Sequence, residues 1–582
     1  MSGPQLPFSQ ELHAQKYRGE GESFREAMSR IAGALQDTQE HYHAFRDILL
    51  DQRFLPGGRV QSAIGSTRRV TPYNCYVSGR IEDSFVEGDG SIMQRATEAA
   101  ATMRMGGGIG YDFSTLRPRG ALIKKLQSRS SGPIAFMEIF DAVCRCVASS
   151  GHRRGAQMGV MRVDHPDIEE FIHVKQNQTQ LRGFNLSIGV TDEFMRCKAS
   201  GQPFQLRFGG EVYKEIDAAA LWEKIMRSTW DWAEPGVLFI DTINRLNNLY
   251  YCEEITATNP CGEQPLPANG ACLLGSVNLV KYLRRDGTRY VFDWDRLGAD
   301  LPHIVRAMDN IVDRAIYPLE AQAREARMKR RMGIGVTGHA NCVEALGFPY
   351  GSPEFVEATR RILRFVANGC YRASALLAEE KGPFPLFERD SYITAPFITR
   401  LDQSVQELIY RKGIRNSHLT SIAPTGTISL TADNVSSGIE PVFATSFERT
   451  IQEFDGPRVE TVHDYGVRVL GVTPRTARDV TVQQHLEVLA AAQYWVDSAV
   501  SKTCNVPSST SWEEFKQVYQ QAWEQGCKGC TTFRIDGKRS GILQVREDDS
   551  QVDRETDVVA TASEEPAQAC YIDPATGKRE CE

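Results

Sequence analysis

Between Phe54 and Leu543, helical stretches alternate with short apolar runs, and neither a long low-complexity linker nor an obvious repeat interrupts them. This alternation is what most constrains the fold. A short run that is apolar throughout is buried on both faces, and a helix after each such run carries the chain back to start the next in parallel, which predicts an α/β domain. Gly236-Val-Leu-Phe-Ile240 and Met332-Gly-Ile-Gly-Val336 read as buried strands ending in polar residues. Ile304, Met308, Ile311 and Ala315 form one helix stripe stopped by Pro318, and residues 360–380 make a longer helix closed by Gly382-Pro383. The continuous punctuation predicts one large barrel or layered domain over residues 54–545. Ahead of it, residues 1–53 read as a helical lead-in, with Ser23-Phe-Arg-Glu26 as a capping box and Phe24, Met28, Ile31 and Leu35 as its apolar face.

Residues 546–582 differ in character. Residues 546–569 hold eight acids, two arginines and few large apolar groups, too little to bury against anything, so they are expected to be a flexible tether. The tether ends in a segment with two cysteines, Cys570 and Cys581.

Composition narrows the function class. Of 582 residues, 67 are basic and 74 acidic, giving a net charge of −7. No field of one sign dominates, which argues against a nucleic-acid partner. No run of about 18 apolar residues suggests a membrane span, and the first residues lack the apolar stretch of a secretion signal. Fourteen cysteines are too dilute for a disulfide-stapled scaffold. A cytoplasmic protein is expected, in which each cysteine is a buried hydrophobe, a metal ligand or a redox group.

The densest chemistry is Thr258-Asn259-Pro-Cys261-Gly-Glu263-Gln264-Pro265-Leu266. An amide, a thiol and a carboxylate occupy alternate positions, and in an extended segment alternate side chains face one way. Pro260, Gly262 and Pro265 disfavour a regular ladder or helix, so a loop is expected. The plain alternative is a turn with a buried cysteine and an exposed glutamate. Eleven residues after Cys261 comes Ala271-Cys272-Leu-Leu-Gly-Ser-Val-Asn278-Leu; far upstream is Pro72-Tyr-Asn74-Cys75-Tyr-Val77. Ala423-Pro424-Thr425-Gly426-Thr427-Ile428-Ser429 is either an ordinary turn or a nest of backbone N–H groups for a phosphate. Met105-Gly-Gly-Gly-Ile-Gly110 permits close backbone approach to a ligand but is weak as a dinucleotide fingerprint.

Taken together and in their chain order, Y-N-C-Y-V, N-P-C-G-E-Q-P-L, C-L-L-G-S-V-N-L, A-P-T-G-T-I-S and the terminal cysteine pair resemble the catalytic chain of ribonucleotide reductase, from Phe54 to Glu582. The resemblance implies a ten-stranded α/β barrel of two five-stranded parallel half-sheets, with the Cys261 loop entering as a finger. It implies that Cys261 carries a thiyl radical that abstracts the ribose 3′ hydrogen, that Glu263 takes the 3′-OH proton, and that Asn259 holds the ribose hydroxyls. Cys75 and Cys272 would supply the reducing dithiol. Cys570 and Cys581 would re-reduce it by thiol–disulfide exchange and pass the oxidising equivalents to a thioredoxin-like donor; the linker's r.m.s. reach of roughly 25–30 Å suits a shuttle. A metal pair in the tail would need two more ligands nearby.

By the same resemblance, Pro424, Thr425, Gly426, Thr427 and Ile428 are the substrate's phosphate loop, at a helix N-terminus, while Asn74, Cys75 and Gly108 contact the ribonucleotide. Gly58 stands where many relatives carry Ser or Thr, leaving only backbone contacts there. Asp83 and Arg117 match positions for a specificity effector, a deoxynucleoside triphosphate or ATP. The stretch at Ser131 and the stretch around Arg153 and Arg154 resemble the two specificity loops, with a solvated basic patch as the alternative for the arginines. A homodimer is implied, with the effector where two chains meet. No room is left for an ATP-binding cone ahead of residue 54.

For the radical source, Lys528-Gly-Cys530-Thr531-Thr532-Phe533-Arg534 holds no tyrosine pair, and no glycyl-radical motif precedes the acidic linker. The K-G-C-T-T-F-R run, the Cys261–Cys272 spacing and the C-Y-I-D-P-A-T-G-K-R-E-C tail resemble the adenosylcobalamin-dependent sub-class. No D-x-H-x-x-G motif is present, so a protein histidine need not replace the cobalamin base. The alternatives are a reductase subunit needing a metal-bearing radical partner, or a zinc- or nucleotide-binding regulatory protein, for which Cys527 and Cys530 would be half a zinc site.

Overall fold

The computed structural model describes residues 3–149, 153–154, 156–176, 180–453, 456–534, 570–573 and 578–581. The strands that frame the site are β1 (Phe54–Pro56), β2 (Cys75–Val77), β3 (Gly108–Asp112), β4 (Gln157–Arg162), β5 (Phe184–Val190), β6 (Gly236–Phe239), β7 (Ala271–Cys272), β8 (Leu274–Asn278), β9 (Gly333–Thr337), β10 (Thr503–Val506) and β11 (Gly529–Arg534). One sheet has eight strands in the order β7-β2-β3-β4-β5-β6-β11-β10, and another runs β1-β8-β9. Strands β2 to β6 are mutually parallel. The direction reverses where β6 meets β11 and where β7 meets β2. Strand β8 is parallel to β9, β10 to β11, and parallel bridges join Ile334 to Thr420 and Ile422 to Val500.

The central strands are buried almost throughout, as parallel strands covered by helices must be. The predicted run at 236 is a strand one residue shorter, Gly236–Phe239, and the run at 332 is a strand shifted one residue on, Gly333–Thr337. The predicted 360–380 helix begins earlier, as Pro353–Lys381, because Ser352 caps the Phe355 N–H and Pro353 occupies the first turn, where a missing N–H costs nothing.

The lead-in is three helices, Pro7–Tyr17, Phe24–Leu35 and Gln39–Leu50. The Ser23–Glu26 capping box forms in both directions. Ala27, Met28, Ile31 and Leu35 share one apolar core with Ile304, Met308 and Ile311 of the helix Trp294–Arg314. Each such large side chain contributes roughly 1.5–3 kcal/mol on full burial.

The expected tether, residues 546–569, lies outside the described residues. Beyond it, Cys570–Asp573 pairs antiparallel with Lys578–Cys581, with Cys570 opposite Cys581. The second of these strands lies against the short helix Gly426–Leu430.

Candidate active site

The loop around Cys261 is a narrow hairpin. Ala257–Thr258 pairs antiparallel with Pro265–Leu266, and residues 259–264 form its tip. The tip turns tightly: Gly262 N–H donates to the Asn259 carbonyl at 3.1 Å, and the Asn259 side-chain oxygen accepts from the Gln264 N–H at 2.9 Å. Gly262 takes a positive φ of 83°, which a side chain would strain. The segment is therefore not extended, and side chains 259, 261 and 263 come together through a turn rather than through strand alternation. All three are buried, Glu263 at 1% exposure, which removes the reading of an exposed glutamate.

Both groups of parallel strands grip this tip. Asn185 on β5 donates to the Pro260 carbonyl at 3.1 Å. The Ser421 hydroxyl and the Ala499 N–H both donate to the Glu263 carbonyl at 2.9 Å. The glycine run at 105–110 serves the same packing. A Cβ on Gly110 would collide with the Thr258 carbonyl, and one on Gly108 would stand 3.2 Å from both the Cys75 sulfur and Pro260. At Gly108 and Gly110 the loop itself approaches this backbone closely.

Cys75 and Cys272 lie directly opposite each other in the antiparallel β2–β7 pair, and both are free thiols. Paired residues in such a ladder have Cα atoms about 4.5–5.5 Å apart, within the span a disulfide bridges. Burial and the neighbouring Glu263 carboxylate push the Cys75 thiol up to about 12, countered by a hydrogen bond with Asn259 and by Arg59. Burial, Glu263 and Cys75 raise Cys272 still further. Both are thus held protonated. Asn259, Glu263, Cys75 and Cys272 form one cluster, with Cys261 at the tip beside it. Cys261 is disulfide-bonded in this structure.

Cys261 also lines a cavity with Met158, Ser187, Leu238, Ser501, Lys502 and Thr531. Lys502 is fully buried and neutralised by Glu440 at 2.7 Å. Neither residue carries a local sequence signal that marks it; only the fold brings Lys502 to the cavity and Glu440 to Lys502.

Thr425 adopts a left-handed φ of 54° and starts the short helix Gly426–Leu430. Its hydroxyl lies 3.0 Å from that of Thr337 at the end of β9 and accepts from Gly438 N–H at 2.6 Å. The loop thus sits at a helix start, and Asn278 nearby in the sheet has both side-chain polar atoms buried without partners.

Asp83 and Arg117 are brought together by an ion pair of 2.6 Å at the surface. Ser131 precedes the helix Pro133–Cys146. Gly151, His152 and Gly155 and the side chains of Arg153 and Arg154 lie outside the described residues; the backbone of Arg153–Arg154 pairs with Ala148–Ser149. Cys527 and Cys530 are buried in one apolar cluster with Cys504, and Cys530 also lines the cavity beside Cys261. Among the described residues, no helix is long and apolar enough to cross a membrane.

The sequence profile of the family described as "Ribonucleotide reductase, barrel domain" matches residues 74–469 and 473–533. The chain belongs to the ribonucleotide reductase family. It is 34% identical over 572 residues to a protein of Mycobacterium tuberculosis called vitamin B12-dependent ribonucleoside-diphosphate reductase, covering 91% of this chain and 78% of that one. A Thermoplasma acidophilum protein of the same name is 32% identical, with 95% of this chain and 72% of the other covered. A Streptomyces clavuligerus vitamin B12-dependent ribonucleotide reductase is 28% identical, with 95% and 65% covered. The ribonucleotide reductase motifs at Cys75, Cys261 and Cys272 thus converge on one buried cluster.

Proposed function

We propose that this chain is an adenosylcobalamin-dependent ribonucleoside-diphosphate reductase. The observation that carries the reading is the facing Cys75–Cys272 pair beside the Asn259–Glu263 hairpin, with Cys261 at the hairpin tip lining a cavity. The names of the three relatives support the cofactor and the diphosphate.

The strand directions support a ten-stranded barrel. One parallel half is β2 to β6. The other is β8, β9, the segment at 420–422, the segment leading into β10, and β11, with antiparallel seams at β6–β11 and β7–β2. The hairpin at 257–266 would be its finger, and the lead-in, main domain and tail would divide near residues 53 and 545.

The chemistry follows from the cluster. Once its disulfide is reduced, Cys261 as a thiyl takes the 3′ hydrogen. Glu263, kept dry, removes the 3′-OH proton, and Asn259 orients the ribose hydroxyls. A protonated Cys75 gives the 2′-OH its proton so that water leaves. The two electrons come from Cys75 and Cys272, which end as a disulfide. Cys570 and Cys581, opposite one another and next to the phosphate loop in backbone position, are suited to exchange with it and to hand the oxidised pair to a thioredoxin-like protein.

For the cofactor, the cavity lined by Ser187, Ser501 and Thr531 would present small side chains to a group bound against Cys261. The segment at 528–534 holds no tyrosine pair, and Phe533 lacks the phenol a radical relay would need. When bound there, adenosylcobalamin supplies the one-electron oxidant of the thiol. Phosphates would bind at Pro424, Thr425, Gly426, Thr427 and Ile428, with Asn74, Gly108 and the Gly58 backbone on the sugar. Asp83, Arg117, Arg153 and Arg154 would read the effector at a homodimer interface, for which the exposed Phe85, Val86, Leu122 and Leu126 offer apolar surface. Turnover of a ribonucleoside diphosphate with and without adenosylcobalamin is the test. Cofactor-dependent deoxynucleotide formation is expected; turnover without cobalamin would refute the assignment.

A further inference from the structure

Among the described residues, nearly all buried or half-buried arginines meet a carboxylate or a hydrogen-bond acceptor, Arg534 over the Trp230 ring being one that does not. Arg330 meets Asp309 and Asp313, Arg331 meets Glu253, and Arg53 meets Asp300. Arg59 breaks that pattern. It is half-buried in the short helix Gly58–Ala63, and no carboxylate or hydrogen-bond acceptor engages its guanidinium among the described residues. Its electrostatic neighbours are the Cys75 thiol and the Tyr17 phenol. It packs over the glycine run, with Nη1 2.7 Å from where a Cβ on Gly106 would stand. Two residues along that run, Gly108 abuts the Cys75 sulfur. Nearby, the Asn74 side-chain oxygen is also buried without a partner, 3.0 Å from the Cβ position of Gly57.

A desolvated cation without a counter-charge is costly, and a guanidinium matches the geometry of phosphate better than any other side chain. The neighbouring position explains itself similarly. A Cβ on Gly58 would stand 2.9 Å from the Tyr17 hydroxyl, so the phenol at the end of the first helix occupies the space of a side chain at 58. The lead-in thereby reaches the substrate side of the cluster.

We propose that Arg59 and Tyr17 form a substrate-anion site. Arg59 takes up phosphate charge of the bound ribonucleotide, and Tyr17 supplies the hydroxyl that position 58 lacks. This rests on the proposed nucleotide site around Asn74, Cys75 and Gly108.

Equilibrium binding tests it without cofactor or turnover, with the effector site saturated by a deoxynucleoside triphosphate. A nucleoside and its mono- and diphosphate are titrated into wild type, Arg59→Ala, Arg59→Lys and Tyr17→Phe. Loss of a charged hydrogen bond predicts that Arg59→Ala weakens the diphosphate about 10- to 100-fold. The nucleoside should bind unchanged, and Arg59→Lys should recover part of the loss. Tyr17→Phe should weaken the diphosphate by a few-fold. Wild-type diphosphate affinity in Arg59→Ala, or equal loss for nucleoside and diphosphate, would overturn the inference. A wild-type protein that binds nucleotide yet never reduces it would instead sink the proposed function and leave this test standing.

Discussion

Replacing Gly110 with Ala should stop the reaction while leaving the fold in place. The new Cβ would lie 3.0 Å from the Thr258 carbonyl carbon, with the carbonyl oxygen nearer still. Non-bonded heavy atoms settle at about 3.5–4.0 Å, and the carbonyl oxygen is the tighter contact, so the base of the Cys261 hairpin must retreat by more than about 1 Å. Strand β3 cannot yield in its place, because it is hydrogen-bonded between β2 and β4. Overpacking of this kind costs about 1–3 kcal/mol, a small loss for a domain with so large a core. A misplacement near 1 Å costs about 100-fold in rate, since Cys261, Glu263 and Asn259 all ride on the hairpin. Turnover with adenosylcobalamin and a small dithiol, alongside a thermal melt, separates the two effects. A folded Gly110→Ala enzyme with wild-type turnover would refute the claim that this contact positions the hairpin.

Two other outcomes follow from the same structure. Cys570→Ser with Cys581→Ser should leave about one turnover per site with thioredoxin, and a small dithiol should restore part of the rate; full turnover with thioredoxin would rule out the shuttle. Glu344 is raised to about 7 by burial although it accepts the Tyr350 and Arg475 N–H groups. A carboxyl whose folded value exceeds its unfolded 4.5 loses stability as pH rises from about 4.5 to 7, by ~2–3 kcal/mol here. Glu344→Gln should abolish that slope, read as melting midpoints at pH 5 and pH 8; an unchanged slope would contradict the assignment.

Legibility in the sequence divided along physical lines. Strands at 236 and 333 and the capped helix after Ser23 were readable because burial on both faces and capping chemistry are local signals. The cysteine set was readable because its motifs are dense. What could not be read is what the chain brings together from afar. The register that sets Cys75 opposite Cys272 joins residues almost two hundred positions apart. The grip of Asn185, Ser421 and Ala499 on the hairpin uses residue types with no mark of their own. The alternation at 259, 261 and 263 gave the correct grouping for the wrong reason, because a tight turn rather than an extended strand gathers those side chains. The glycines at 106–110 showed that something approaches the backbone but not that the partner is the chain's own hairpin and the Arg59 side chain.

The account stands most directly on the isotope behaviour of the ribose. With a ribonucleoside diphosphate deuterated at C3′, adenosylcobalamin and a dithiol, the wild-type enzyme should turn over with a primary isotope effect. Cys261→Ser should fold, keep Cys75 and Cys272 as free thiols, and yield no deoxynucleotide, since an alcohol O–H is a far stronger bond than a thiol S–H. Multiple turnovers in Cys261→Ser would contradict the assignment of Cys261 as the group that takes the 3′ hydrogen.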